Sequence, residues 1–245
     1  MNKEKWLLPE GIEEFLPQEA RCLESLRRRL LSLFSCWGYD LVVPPIVEYI
    51  DSLLTGSGND LELKTFKFID QASGRTLGIR SDITPQVARI DSHQLSHDHP
   101  NRLCFIGTVL HTTSSDFLKS RSIEQIGAEL YGHAGDDSDK EIIGLMLASV
   151  ELIGVSKVHL DLGHVGIFRG LVKAAALSSE DESALFDALQ RKSRPDIENI
   201  LSSLALKEPH LNRLRGLADL HGGREILQQA RELLAGSSKS VLQAI

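Results

Sequence analysis

Two apolar runs joined by a polar loop constrain the fold of this chain more than any other feature. Leu103 to Leu110 is dense in β-forming residues, His111 to Ser122 is rich in Ser and Thr, and Ile123 to Tyr131 alternates along its length. Side chains alternate between the two faces of a strand, so the pattern predicts strand, long loop, strand. Ile126, Ala128 and Leu130 then share one face, which would meet a core. Gln125 and Glu129 share the other with Ile123, Gly127 and Tyr131. A glutamine and a glutamate aimed the same way from a central strand form either a solvent-facing surface or the floor of a pocket for a polar ligand. Spacing alone leaves both open.

Around this feature the chain reads as a soluble globular protein. Its 245 residues suit one large domain, or one domain with a sizeable insertion. Hydrophobic residues at 42% and charged residues at 25% are ordinary proportions. A net charge of -7 gives no electrostatic footprint for nucleic acid. Cys22, Cys36 and Cys104 have no paired metal-ligand spacing, and Cys36 and Cys104 sit in apolar surroundings that predict buried free thiols. The first residues lack the apolar stretch of a signal peptide, and no run is long enough to span a bilayer. A cytoplasmic chain is expected, with no metal and no cofactor.

Taken in order, residues 5–16 predict an extended arm. Pro17 to Cys36 carries apolar residues at helical spacing and begins with a proline that suits a first helical position. The run YDLVVPPIVEY predicts a strand that ends or lies at an edge, because Pro44 and Pro45 cannot donate to a ladder. Residues 52–62 predict a short helical turn and a Gly-Ser loop. Lys64 to Asp70 and Thr76 to Arg80 predict a hairpin that runs into a helix near Pro85, capped by Asp82 or Thr84. An apolar helix ending at Gly154 and a strand over Lys157 to Leu162 follow, with His159 read as a structural strand histidine. From Ile167 onward the spacing is helical, in about five segments.

These pieces resemble a family. The arm LPEGIEEFLPQEA, the run GYDLVVPPIVEY, the hairpin exit LGIRSDIT and the closing QIGAELYG occur in the order found in class II aminoacyl-tRNA synthetases of the histidyl type. The resemblance covers roughly residues 5–162. It implies an α+β fold: a class II aminoacyl-tRNA synthetase-like antiparallel sheet flanked by helices, with a C-terminal helical insertion subdomain. Residues 1–165 would be the core and residues 166–245 the insertion. In the family the chain then returns to the core with further strands. This sequence ends without them, which reads as an incomplete core.

The resemblance also assigns a site, and the departures from it matter most. In the synthetases the second motif carries an arginine on the ATP α-phosphate; here the matching positions are Leu110, His111, Thr112 and Thr113. An imidazole lacks the bidentate fork and fixed charge of a guanidinium, so amino-acid activation is expected to be lost and no catalytic residue is assigned. The amino-acid side is kept. Asp82, Thr84, Gln125 and Glu129 match the groups that gather histidine, with Arg80, His111 and Arg121 placed at the pocket rim.

The run RSDITPQVARI resembles a paralogous family, the regulatory subunits of ATP phosphoribosyltransferase, with Ser81 where proline is usual. The implied role is a non-catalytic subunit. It would be needed by a short-form catalytic subunit for the first step of histidine biosynthesis and would bring feedback regulation by histidine. The implied assembly is a homodimer within a larger hetero-oligomer, with histidine as effector and without membrane or tRNA. The alternatives are a histidyl-tRNA synthetase, a stand-alone histidine-binding scaffold, and a decayed fragment.

Overall fold

A computed structural model of the chain describes residues 6–55, 59–114 and 119–243. It divides into two compact units, Met1–Val158 and His159–Ile245, a boundary a few residues ahead of the 165/166 expected from sequence.

In the first unit, helix α1 (Pro17–Cys36) spans the expected residues. Pro17 needs no hydrogen-bond acceptor for a missing N–H, and the Glu19 carboxylate accepts from the Leu16 N–H at 3.1 Å. Gly38, at φ 81°, turns the chain into strand β1 (Asp40–Leu41). The expected single strand is in fact split. After β1, Pro44 and Pro45 break the ladder, and the chain enters a second sheet as β2 (Val47–Tyr49). Short helices α2 (Ile50–Leu53) and α3 (Asn59–Lys64) lead to the predicted hairpin, β3 (Phe66–Ile69) and β4 (Thr76–Ile79). Part of the expected Gly-Ser loop, residues 56–58, lies outside the described residues. The order β2-β4-β3 is antiparallel throughout. Helix α4 (Thr84–Gln94) follows directly.

The strand–loop–strand feature forms as predicted. Strand β5 (Asn101–Leu110) and strand β6 (Ser122–Tyr131) pair antiparallel without interruption, from Asn101 opposite Tyr131 to Leu110 opposite Ser122. β1 adds in parallel on the far side of β5, giving the order β1-β5-β6. Helix α5 (Asp136–Leu152) completes the unit.

The period of two sorts the side chains onto two faces. On one face Cys104 packs with Phe34 of α1, Leu145 of α5 and Tyr39 just ahead of β1, and Ile126 and Ala128 pack against that cluster, as expected. On the other face Leu103, Phe105 and Val109 pack with Val87 of α4 and with Ile83 just ahead of it, with Ile123 and Tyr131 alongside. Two glycines permit this packing. A Cβ on Gly107 would overlap the Arg80 guanidinium, and one on Gly127 would overlap the Phe105 ring.

The second unit holds α6 (Val165–Ala175), α7 (Ser179–Gln190), α8 (Arg194–Ser203), α9 (Glu208–Gly216), α10 (Ile226–Leu233) and the short α11 (Lys239–Gln243). These are the five expected helices and one more. Ser178 caps α7, its hydroxyl accepting from the Asp181 N–H at 3.1 Å. Phe168, Leu171, Leu185, Ile197, Leu201 and Leu214 belong to a core of its own. Full burial of such side chains contributes about 1.5–3 kcal/mol each, before ordering costs.

Three expectations differ from what is observed. Residues 155–164 form no strand: Val158, Leu160 and Leu162 are exposed, and alternation cannot make a strand where no ladder partner lies alongside among the described residues. His159 is accordingly solvent-exposed, beside Asp161 at 3.1 Å, and is not a strand histidine. Cys36 is exposed at the end of α1, whereas Cys104 is buried and its thiol is pushed up to about 11 by burial.

Replacing Gly107 by alanine forces the Arg80 guanidinium off its partners, and the expected loss is about 1–3 kcal/mol of unfolding free energy. Urea unfolding of Gly107→Ala against the parent chain checks it; an unchanged midpoint would show that Arg80 can move aside freely.

Candidate functional site

The site is built where β4 turns into α4. Arg80 comes first and is only 5% exposed. Its Nε donates to the Thr108 carbonyl at 2.9 Å and its Nη1 to the Pro44 carbonyl at 2.8 Å. Its own N–H and C=O reach Ile46 at 3.0 Å and Leu110 at 3.0 Å. Burial lowers the pKa of the guanidinium, partly offset by Glu124. Sequence placed Arg80 on a pocket rim; in the structure it is a buried strut that ties the hairpin sheet to β5.

Ser81, where the related families carry proline, puts its hydroxyl 2.8 Å from that of the buried Thr65, which donates onward to the Leu61 carbonyl at 2.7 Å. The Ser81 carbonyl lies 2.9 Å from His111 Nε2. A carbonyl only accepts, so His111 carries its hydrogen on Nε2 here. The ring at the position of the synthetase arginine is therefore turned back onto the corner.

Asp82 and Gln125 lock the next step. Asp82 Oδ1 accepts from the Thr84 N–H at 3.0 Å and from Gln125 Nε2 at 2.7 Å. Gln125 Oε1 accepts from the Ile83 N–H at 2.9 Å. These partners fix which end of the amide is oxygen. The N-cap of α4 is Ile83, not the expected Asp82 or Thr84, and it makes no side-chain cap bond. Asp82 lies one residue earlier, where its carboxylate accepts from the first N–H of the helix and binds the β6 glutamine as well.

Glu129 completes the group. One oxygen, Oε2, accepts from the Tyr131 hydroxyl; the other, Oε1, is buried and has no hydrogen-bond partner among the described residues. Burial pushes the carboxyl up to about 7. The Thr84 hydroxyl favours the charged form without closing a hydrogen bond of ordinary geometry, and the like charge of Asp82 opposes it. Between Gln125 and Glu129 the floor is the Phe105 ring, which lies against Gly127.

The structure therefore brings Asp82, Thr84, Gln125 and Glu129 together, and places Arg121 in different company. Arg121 Nε donates to the His111 carbonyl at 3.0 Å and Nη1 to the Glu10 carbonyl at 3.2 Å, with the guanidinium 4.9 Å above the Phe66 ring. It clasps the N-terminal arm, where Gly11, at φ 74°, leaves room for its stem. Ser115 to Leu118 of the connecting loop lie outside the described residues. Tyr131 went unremarked in the sequence as a site residue. Its one signal was its place on the same strand face as Glu129, two residues on.

Two surface cavities of about 400 and 410 Å³, one beside Arg21 and Arg29 and one beside Asp40, His99 and Arg102, are lined by other residues. Among the described residues no group of three His, Cys, Asp or Glu side chains is placed to hold a metal ion.

The geometry meets its relatives at this point. A family model described as histidyl-tRNA synthetase matches residues 11–245. Proteins named ATP phosphoribosyltransferase regulatory subunit from Alkalilimnicola ehrlichii and Pseudomonas syringae pv. tomato are 54% and 55% identical over 98% and 99% of this chain. The chain spans about three fifths of their length, 60% and 61%. A solved structure from Bacillus halodurans, described as an ATP phosphoribosyltransferase regulatory subunit/histidyl-tRNA synthetase, superposes with a TM-score of 0.83 at 28% identity, covering 97% of this chain and 61% of its own. A histidine–tRNA ligase subunit from Alicyclobacillus acidocaldarius gives 0.71 at 20% identity, covering 97% and 72%, a likeness of fold.

The raised Glu129 carboxyl has a consequence for stability. The native state keeps a proton that the unfolded chain loses near pH 4.5, so the stability it contributes is full below that pH and is lost as pH rises through about 7. After allowance for solvent screening, Glu129→Gln is expected to be more stable than the parent at alkaline pH by ~1–2 kcal/mol, and equal to it in acid. Thermal melts across that range check the sign, and parallel curves would refute it.

Proposed function

The chain belongs to the histidyl-tRNA synthetase family, and from that premise we propose that it acts as a non-catalytic regulatory subunit of ATP phosphoribosyltransferase. In this reading it serves a short-form catalytic subunit in the first step of histidine biosynthesis and makes the activity responsive to histidine. One observation carries the reading. The acidic and amide groups Asp82, Gln125 and Glu129 converge on one side of the corner, while the arginine position on the other side holds His111, bonded to the Ser81 carbonyl. A site so built can gather a cationic amino acid but lacks the guanidinium that would steady charge on a transferring phosphate. The names of the relatives agree with it.

Within this reading, residues 1–165 are the synthetase-like core and residues 166–245 the helical insertion. Histidine acts as effector by binding two assembly states unequally, since a ligand shifts an equilibrium only by its differential affinity. The arm and the segment after β1 would form the homodimer surface, which suits the exposed Trp6, Leu7, Val43 and Ile46. The dimer would stand inside a larger hetero-oligomer in the cytoplasm, without tRNA. Among the described residues no helix is long and apolar enough to cross a membrane.

A second reading, an active histidyl-tRNA synthetase, has the family match and the double description of the Bacillus halodurans structure in its favour. The two separate in one pair of assays. The regulatory reading expects the short-form catalytic subunit to gain activity when this chain is added, with histidine suppressing the gain, and no histidine-dependent exchange of pyrophosphate into ATP. An unchanged rate and unchanged histidine inhibition would sink it; pyrophosphate exchange would establish the synthetase.

A further inference from the structure

The hairpin sheet has two unlike faces. Glu48 of β2, Gly78 of β4 and Lys67 of β3 form one row across it, and a Cβ on Gly78 would meet the side chains of Ile50, Leu53 and Thr65. That face is closed by α2. The neighbouring row is Tyr49, Leu77 and Phe68. Successive residues of a strand point to opposite sides, so these three share the other face. It is open at this row: Tyr49 is 38% and Phe68 42% exposed.

A cation already lies on the open face. The Arg75 guanidinium, at the end of the hairpin turn, is stacked 3.4 Å from the centre of the Tyr49 ring. Stacking uses the flat of a guanidinium and leaves the N–H groups at its edge to donate in pairs. Among the described residues no carboxylate pairs with it. The two carboxylates of the sheet and its turn are engaged elsewhere. Glu48 accepts from Ser52, Gln86 and Arg89 at 3.2, 2.9 and 2.6 Å. Asp70 accepts from the N–H groups of Ala72 and Ser73 at 3.1 and 3.2 Å, and from the Ser73 hydroxyl at 2.5 Å. Those bonds also pin the turn that carries Arg75, so the patch is ordered before any partner arrives.

The chemistry of the patch selects its partner. A two-fold contact sets a patch against its own copy, and Arg75 would then meet a second basic surface with neither Glu48 nor Asp70 free to answer it. The complement is a different surface, one that sets a carboxylate among apolar side chains. We propose that this face is where the catalytic subunit docks: a carboxylate of that subunit takes the edge of Arg75, and the apolar side chains around it cover Tyr49, Leu77 and Phe68. The proposal rests on the reading of this chain as a regulatory subunit. It uses none of Asp82, Thr84, Gln125 or Glu129, so docking and ligand binding fall to separate residues.

The test is calorimetric titration of the purified short-form catalytic subunit into this chain at several salt concentrations, beside sedimentation of each variant alone. Arg75→Ala and Phe68→Ala are each expected to weaken the complex about tenfold, and Arg75→Glu to weaken it further. Arg75→Lys should recover only part of the loss, because an ammonium lacks the fork. Binding should fall with salt in the parent and less steeply in Arg75→Ala. Lys140→Ala removes the same charge from α5, beside Asp137, and should bind as the parent does. Arg75 and Phe68 are exposed, so the variants should melt close to the parent. Arg75→Ala and Phe68→Ala chains that bind like the parent, or an equal loss in Lys140→Ala, overturn the proposal alone. So does a fall from dimer to monomer in those two variants by themselves, which would give the face to a second copy. A catalytic subunit that does not bind the parent chain removes the regulatory reading and the proposal with it.

Discussion

The unbroken ladder between β5 and β6 is the constraint on which the rest of the first unit depends. With Leu103 held opposite Glu129 and Gly107 opposite Gln125, Leu103, Phe105 and Val109 pack with Ile83 and Val87 on one face, and Cys104, Ile126 and Ala128 pack with residues of α1 and α5 on the other. A slip of one residue would carry the apolar set of one face to the other. It would also lift Gln125 and Glu129 away from the corner. The register therefore serves both core and site, and neither can be altered alone.

Arg80 shows how tightly the two are joined. A guanidinium buried at this point would be costly if it were not hydrogen-bonded, and the structure gives it carbonyls from Thr108 and Pro44. The absence of a side chain on Gly107 makes its place. The strut fixes where β4 ends, and so where Ser81, Asp82 and Ile83 stand. From there the hydrogen bonds run onward to Thr65, His111 and Gln125. Position at the corner is thus set by backbone and buried polar groups, and the Glu129 carboxyl stands beside them. Among the described residues its Oε1 is buried without a hydrogen-bond partner. In the proposed regulatory role, this divides the pocket into a rigid frame and one responsive group.

Much of this was legible in the residues. The alternation of Ile123 to Tyr131 identified β6 and its two faces, and Asp82, Thr84, Gln125 and Glu129 do converge. The prolines announced a broken ladder but could not say that its halves join different sheets. Elsewhere local pattern failed for physical reasons. Lys157 to Leu162 alternates as a strand should, yet a strand exists only with a partner for its backbone. Cys36 looked buried because its neighbours are apolar, but its direction from the helix end decides exposure. Arg80 and Arg121 were placed on the rim by the resemblance to the family, and both prove to be spent on backbone carbonyls.

The sequence by itself determined most of the elements and the faces of β5 and β6, because periodicity is local and survives without coordinates, and its ordered motifs carried the resemblance to the family. Tertiary structure alone decided which polar groups are satisfied. Whether Glu129 keeps an unpartnered oxygen, whether His111 turns to Ser81, and whether Arg80 faces a ligand or a carbonyl depend on atoms far apart in the chain. Those atoms meet only when the corner, the arm and the ladder are packed together, and no spacing along one segment encodes that meeting.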